Sequence, residues 1–154
     1  MWNISDRTTE EQAKKNRMKQ LIEQIIRHEG MELKPYRCTS DKLTIGVGRN
    51  LEDVGISEQE ALALLTNDLA TVDAQIQSLM PWAIELDMVR YQALMNFVFN
   101  VGIGTAMKFE NAMAALKASD FDTAAAELLD SRWSTQVGKR AEELADQIKT
   151  GVYQ

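Results

Sequence analysis

Glu29, Cys38 and Thr44 are the residues of this chain whose types and spacing could do chemistry. Eight residues separate Glu29 from Cys38, and five separate Cys38 from Thr44. Glu29 ends a helical pattern and is followed by Gly30. Thr44 sits in the run Leu43-Thr44-Ile45-Gly46-Val47-Gly48, which reads as a strand. A carboxylic acid at a helix end, set against a thiol and a hydroxyl on a nearby ribbon, has the parts of a hydrolytic site. Glycosidic bonds, for example, break when an acid protonates the leaving oxygen while a water or nucleophile attacks from the opposite face. Such an acid must hold its proton near neutral pH, so it needs a partly desolvated position. The end of an apolar helix, packed against a strand of small residues, provides one. The plain alternative is a solvated Glu beside a glycine cap.

Cys38 needs its own argument. An unperturbed thiol ionises near pH 8.5, and a neighbouring carboxylate raises that value, so near neutrality it is mostly protonated. On this reading Cys38 orients a water together with Thr44 rather than deprotonating it. Asp41, in the same turn, is the fallback carboxylate. The bland reading of Cys38 is a small, half-buried filler.

The elements that must position these groups follow from periodicity. Thr8 with Glu11 can form a capping box opening a helix that runs to about Glu29, after a frayed stretch over residues 1–7. Met18, Leu21, Ile22, Ile25 and Ile26 give it an apolar stripe, and Gly30 stops it. Pro35 forbids a continuing helix. Leu43, Ile45 and Val47 alternate with Thr44, Gly46 and Gly48, which predicts one strand with a greasy face and a small face; residues 38–42 form its turn. Ser57 with Glu60 makes a second capping box. It opens a helix with Leu62, Leu65, Leu69, Val72, Ile76 and Leu79 on one face, closed by Pro81. At about 24 residues it spans roughly 36 Å, enough to bridge two lobes. Residues 87–100 are apolar nearly all round, as in the centre of a bundle. Helical patterns follow at about 105–118, 121–130 and 138–150, punctuated by Gly102, Gly104, Asp120, Gly138 and Gly151.

Composition bounds the rest. The 154 residues suit one domain with a real core. No apolar stretch is long enough to span a bilayer, and the polar first twenty residues do not read as a signal peptide. One cysteine and one histidine leave no internal disulfide and no expected metal site or cofactor. The net charge of −6 is unevenly placed. Residues 1–50 hold ten Lys/Arg against seven Asp/Glu, and residues 51–154 hold seven against sixteen. An acidic chain is a poor nucleic-acid binder, although the basic first third can attract an anionic polymer.

The sequence blocks carry a resemblance. His28-Glu29-Gly30, Lys34-Pro35-Tyr36 and Leu43-Thr44-Ile45-Gly46-Val47-Gly48 resemble the opening of the phage-type lysozymes, the endolysins of glycoside hydrolase family 24. The likeness continues through residues 93–102 and ends at Ser131-Arg132-Trp133, covering roughly residues 18–150. It implies an α+β, mostly helical lysozyme-like fold over residues 1–154. Residues 1–30 would be an N-terminal helix, 31–56 a small β-ribbon lobe, 57–80 a connecting helix and 81–154 a helical C-terminal lobe. It implies hydrolysis of the β-1,4 bond between N-acetylmuramic acid and N-acetylglucosamine in peptidoglycan. Glu29 matches the family's general acid and Thr44 its water-holding threonine. Cys38 takes a position that is Asp in the best-known members, where the family pattern accepts Asp or Cys. Asn50, Phe99 and Asn100 match substrate-contact positions. Two further contact positions appear as Ala112 and Glu127, which depart from the expected types.

Arg49, where several members carry His, is expected to pair with Asp68. Arg132 and Trp133 read as packing residues. The resemblance further implies a monomer stored in the host cytoplasm without stable membrane association. Release to the wall would then depend on a separate holin. The alternatives are a lytic transglycosylase, which needs one acid/base and no activated water, and a non-catalytic wall-binding module.

Overall fold

The computed structural model describes the backbone of residues 4–154, and the side chains of residue 12 and of residues 14–154. It is helical except for one small sheet, in the order α1 (Ile4–Glu29), β1 (Glu32–Arg37), β2 (Leu43–Gly46), β3 (Arg49–Asn50), α2 (Glu58–Leu79), a 3-10 turn (Pro81–Glu85), α3 (Met88–Val101), α4 (Ile103–Ala106), α5 (Glu110–Lys117), α6 (Phe121–Leu129), α7 (Arg132–Val137) and α8 (Lys139–Thr150). This is the expected α+β class. The chain divides into two compact units, Met1–Glu60 and Ala61–Gln154, with the boundary in the first turn of α2.

In the first unit, α1 starts at Ile4, so Thr8 lies inside the helix rather than at its cap. The side chains of Thr8 and Glu11 fall outside the described residues. Gly30, with a positive φ, ends α1 as expected, and its N–H donates to the Ile26 carbonyl at 2.8 Å.

The ribbon is richer than the alternation suggested. It has three antiparallel strands in the order β1-β2-β3, with Tyr36 opposite Thr44 and Thr44 opposite Asn50. β1 carries Pro35 beside a bulge between Glu32 and Tyr36, where a strand tolerates a residue without an N–H. The run 43–48 does not continue as one strand. Gly46 and Gly48 take φ of +67° and +73°, and the chain turns there into β3. The expected faces are also reversed at one point. Thr44 is the buried residue of β2, at 4% exposure, while Leu43 and Ile45 are only half-buried.

In the second unit the core is aliphatic and aromatic. α3 supplies Ala93, Leu94, Phe97 and Val98, α5 supplies Met113 and Leu116, α6 supplies Leu128, and α8 supplies Leu144 and Ile148. Phe97 meets Phe109 and Trp133 edge-on, with ring centroids 5.0 and 4.9 Å away. α3 is not buried on every side, because its apolar Met88 and Phe99 are exposed. Along α2 only Val72 and Ile76 are buried, and Leu62, Leu65 and Leu79 of the expected stripe are exposed.

The Ser57–Glu60 capping box forms. The Glu60 N–H donates to Ser57 Oγ at 3.2 Å, and the Ser57 N–H donates to Glu60 Oε2 at 2.7 Å. α7 has no counterpart among the expected helices. Ser131 caps it by accepting the Ser134 N–H. Arg90 ties α3 to the end of α8 by donating to the Ile148 and Lys149 carbonyls, and its guanidinium sits 3.8 Å from the centre of the Phe121 ring.

Candidate functional site

Glu29 is the last residue of α1, and the turn after Gly30 brings its carboxylate against the ribbon. A methyl group on Gly48 would lie 3.5 Å from Glu29 Oε2, so the carboxylate lies beside this glycine of the turn between β2 and β3. The expected approach of helix end to small-residue strand is therefore present. The expected desolvation is not, since Glu29 is exposed.

Cys38 and Thr44 flank the turn between β1 and β2. The Cys38 N–H donates to the Lys42 carbonyl at 3.0 Å, and the Asp41 N–H donates back to the Cys38 carbonyl at 2.8 Å. Asp41 closes the turn in the left-handed region, at φ +57°. That tight loop aims backbone donors at the sulfur. The thiol is held below its ordinary ionisation range, first by the Lys42 N–H, then by the Ser40 N–H and the Thr44 hydroxyl. The shift is downward, where a neighbouring carboxylate was expected to raise the thiol, because these hydrogen bonds outweigh the burial that opposes them. Cys38 is free and half-buried.

Thr44 Oγ1 lies 2.9 Å from the Lys42 carbonyl, which can accept its proton. One hydroxyl proton cannot serve both that carbonyl and the sulfur. Once the thiol ionises, the charge-assisted bond to sulfur is the stronger.

Asp41, the fallback carboxylate, is fully solvated, with Arg37 Nε 3.8 Å away. Asn50 is occupied by its own turn. Its oxygen accepts the N–H groups of Glu52 and Asp53, each at 3.0 Å, and its amide donates to Asp53 Oδ2 at 2.9 Å. One amide hydrogen remains for another partner. Arg49 does not reach for Asp68. It forks onto both oxygens of Glu60, at 2.9 and 3.1 Å, and donates to the Gly55 carbonyl. The sequence offered both acids, and Glu60 wins because the capping box already fixes its carboxylate beside the ribbon.

Glu29, Cys38, Thr44 and Asn50 thus share the unit Met1–Glu60. Phe99 and Asn100 belong to the other unit. Phe99 is 41% exposed and lines a groove of about 500 Å³ with Leu65, Leu69, Met95 and Arg140. The Asn100 oxygen accepts the Trp133 indole N–H at 2.6 Å, which fixes the amide. Trp133 is buried and packs, as expected. Ala112 is 1% exposed, too buried to meet a ligand.

Sequence reasoning passed over Glu52. Its carboxylate accepts from Arg37 at 2.8 Å and from the Leu43 N–H at 3.1 Å. The signal was present in Asn50-Leu51-Glu52-Asp53, where an Asn two residues before an acid announces an Asx-turn.

Comparison with known proteins places the chain in a family. The sequence profile described as phage lysozyme matches residues 26–149. The chain is 33% identical to an endolysin of Acyrthosiphon pisum secondary endosymbiont phage 1, over 71% of this chain and 74% of that protein. It is 27% identical to a probable T4-type lysozyme of Dictyostelium discoideum, over 80% of this chain and 89% of that protein. It is 31% identical to a SAR-endolysin of bacteriophage PS34, over 73% and 66%. The profile takes in Glu29, the ribbon with Cys38 and Thr44, and nearly all of the helical unit, and on that span the chain belongs to the phage lysozyme family.

Proposed function

We propose that this chain is an endolysin that hydrolyses the β-1,4 bond between N-acetylmuramic acid and N-acetylglucosamine in peptidoglycan. The observation that carries the reading is the arrangement within the first unit. An acid lies beside Gly48 of the same ribbon whose first turn presents a hydrogen-bonded thiol and leads to a buried threonine.

In this mechanism Glu29 gives its proton to the glycosidic oxygen as the C–O bond breaks. A water held by Thr44 and Cys38 attacks the anomeric carbon from the other face. Its proton passes to the Cys38 sulfur as the new C–O bond forms, and the anomeric centre inverts. Glu29 ends as carboxylate and Cys38 as thiol, and exchange with solvent restores both. A sugar laid over the Gly48 backbone displaces water from Glu29 and supplies the desolvation that the free carboxylate lacks. In its ionised form, which the turn's hydrogen bonds favour, Cys38 serves as proton acceptor as well as water positioner.

Among the described residues no helix is long and apolar enough to cross a membrane. In this reading the enzyme waits in the host cytoplasm as a monomer, and a separate holin admits it to the wall. Digestion of purified peptidoglycan followed by mass measurement of the fragments tests the reaction. Free reducing ends are expected. Fragments ending in 1,6-anhydro sugars would replace the hydrolase with a lytic transglycosylase.

A further inference from the structure

Beyond the groups that would touch substrate, one carboxylate joins every strand end that carries the site. Glu52 Oε1 accepts from Arg37 Nη1 at 2.8 Å and from the Leu43 N–H at 3.1 Å. Arg37 immediately precedes Cys38, and Leu43 immediately precedes Thr44. Glu52 Oε2 also lies 3.9 Å from Lys42 Nζ, whose firmer partner is Asp53 Oδ1 at 3.1 Å. Lys42 matters because its backbone serves both reacting groups. Its carbonyl accepts from the Cys38 N–H and lies within bonding distance of the Thr44 hydroxyl, and its N–H points to the Cys38 sulfur. Glu52 is itself held, since its N–H donates to Asn50 Oδ1. The Leu51 N–H closes the connection by donating to the Leu43 carbonyl at 2.8 Å.

We infer that Glu52 is a positioning residue for the site, clamping the end of β1, the Lys42 peptide and the start of β2 so that Cys38 and Thr44 keep one geometry. This rests on the reading that Cys38 and Thr44 do the chemistry. An isolated exposed ion pair would contribute little. Glu52 differs because it also accepts a backbone N–H at the strand start and shares its two cations with Asp41 and Asp53. A geometric function fits that arrangement better than a stabilising one. Asn50 then acts at one further remove, by fixing Glu52, and its matched position near the site has a structural reason.

The test compares wild type, Glu52→Ala and Glu52→Gln, each shown to be folded by circular dichroism. Two quantities are read: kcat and KM on purified peptidoglycan, and the pH profile of Cys38 alkylation by iodoacetamide. Glu52→Ala is expected to lower kcat by roughly tenfold or more with KM nearly unchanged, because misplacement of reacting groups costs rate rather than affinity. Its alkylation profile is expected to move to higher pH, as the Ser40 and Lys42 amides lose their aim at the sulfur. Glu52→Gln keeps an oxygen for the Leu43 N–H and is expected to recover part of both effects. It also serves as the deciding variant if the alanine protein does not fold. An alkylation profile that superposes on wild type overturns the inference, whether or not activity falls. A shifted profile in a protein whose Cys38→Ala variant is fully active leaves the clamp standing and removes the catalytic reading instead.

Discussion

In the proposed mechanism a thiol does what a carboxylate more usually does, and the turn around it supplies the difference. Amide groups of Lys42 and Ser40 and the hydroxyl of Thr44 favour the ionised sulfur, so its pKa lies below the ordinary thiol value. Activity that needs the thiolate rises with pH through that lowered pKa. Cys38→Asp, whose carboxylate ionises at about pH 4, is therefore expected to move the acidic limb of the kcat/KM profile downward. A limb that stays in place assigns it to another group.

Gly48 offers a second residue-scale test, because Gly46 is its natural control. Both have positive φ, but only a methyl on Gly48 would border the Glu29 carboxylate. Each alanine variant is expected to lose about 1–2 kcal/mol of stability from the left-handed backbone. Only Gly48→Ala is expected to slow peptidoglycan cleavage as well. Equal loss of activity in the two would show that the ribbon conformation, and not access to Glu29, is what matters.

At the scale of elements, helices with local signals were legible in the sequence and those without were not. The Ser57–Glu60 box fixes the start of α2, and Asp87 caps α3 by accepting the Arg90 N–H. α7 escaped because its six residues are too few to show a period, although Ser131 is a cap signal. β1 escaped because Pro35 and three charged residues hide its pairing, which depends on β2 and not on its own pattern. The ribbon's faces were misread because Thr44 is buried for its hydroxyl, against the usual preference for burying Leu and Ile. The placing of Glu29, Cys38 and Thr44 in one unit was readable from spacing, whereas the shift in Cys38 comes from turn geometry that spacing does not record.

The core of the second unit was legible, and it supports a prediction of magnitude. Phe97 is fully buried and meets two aromatic rings. Phe97→Ala is expected to cost about 3–5 kcal/mol in urea unfolding. A cost under about 1 kcal/mol would mean that the Phe109 and Trp133 rings close the gap.

For the whole molecule, the described core is unevenly distributed. Every buried hydrophobic residue from Val72 to Ile148 lies in the unit Ala61–Gln154. In the unit Met1–Glu60, Thr44 is the one buried residue among those described. Stability of backbone hydrogen bonds follows buried apolar packing. Amides of α3, α6 and α8 are therefore expected to exchange slowest with solvent deuterium, and those of β1–β3 distinctly faster. Equal protection in the ribbon would contradict this view of where the stability resides. In the proposed mechanism the chemistry falls to the less buttressed unit, where charged clamps and turn hydrogen bonds replace apolar packing in fixing Cys38 and Thr44.

The most direct test of the account is the initial rate of reducing-end release from purified peptidoglycan by wild type and by Glu29→Gln. An amide cannot donate the proton that the leaving oxygen needs, and its near-identical shape preserves the contact with Gly48. The rate is expected to fall by roughly a hundredfold or more. A Glu29→Gln protein that releases reducing ends at the wild-type rate would show that the acid lies elsewhere.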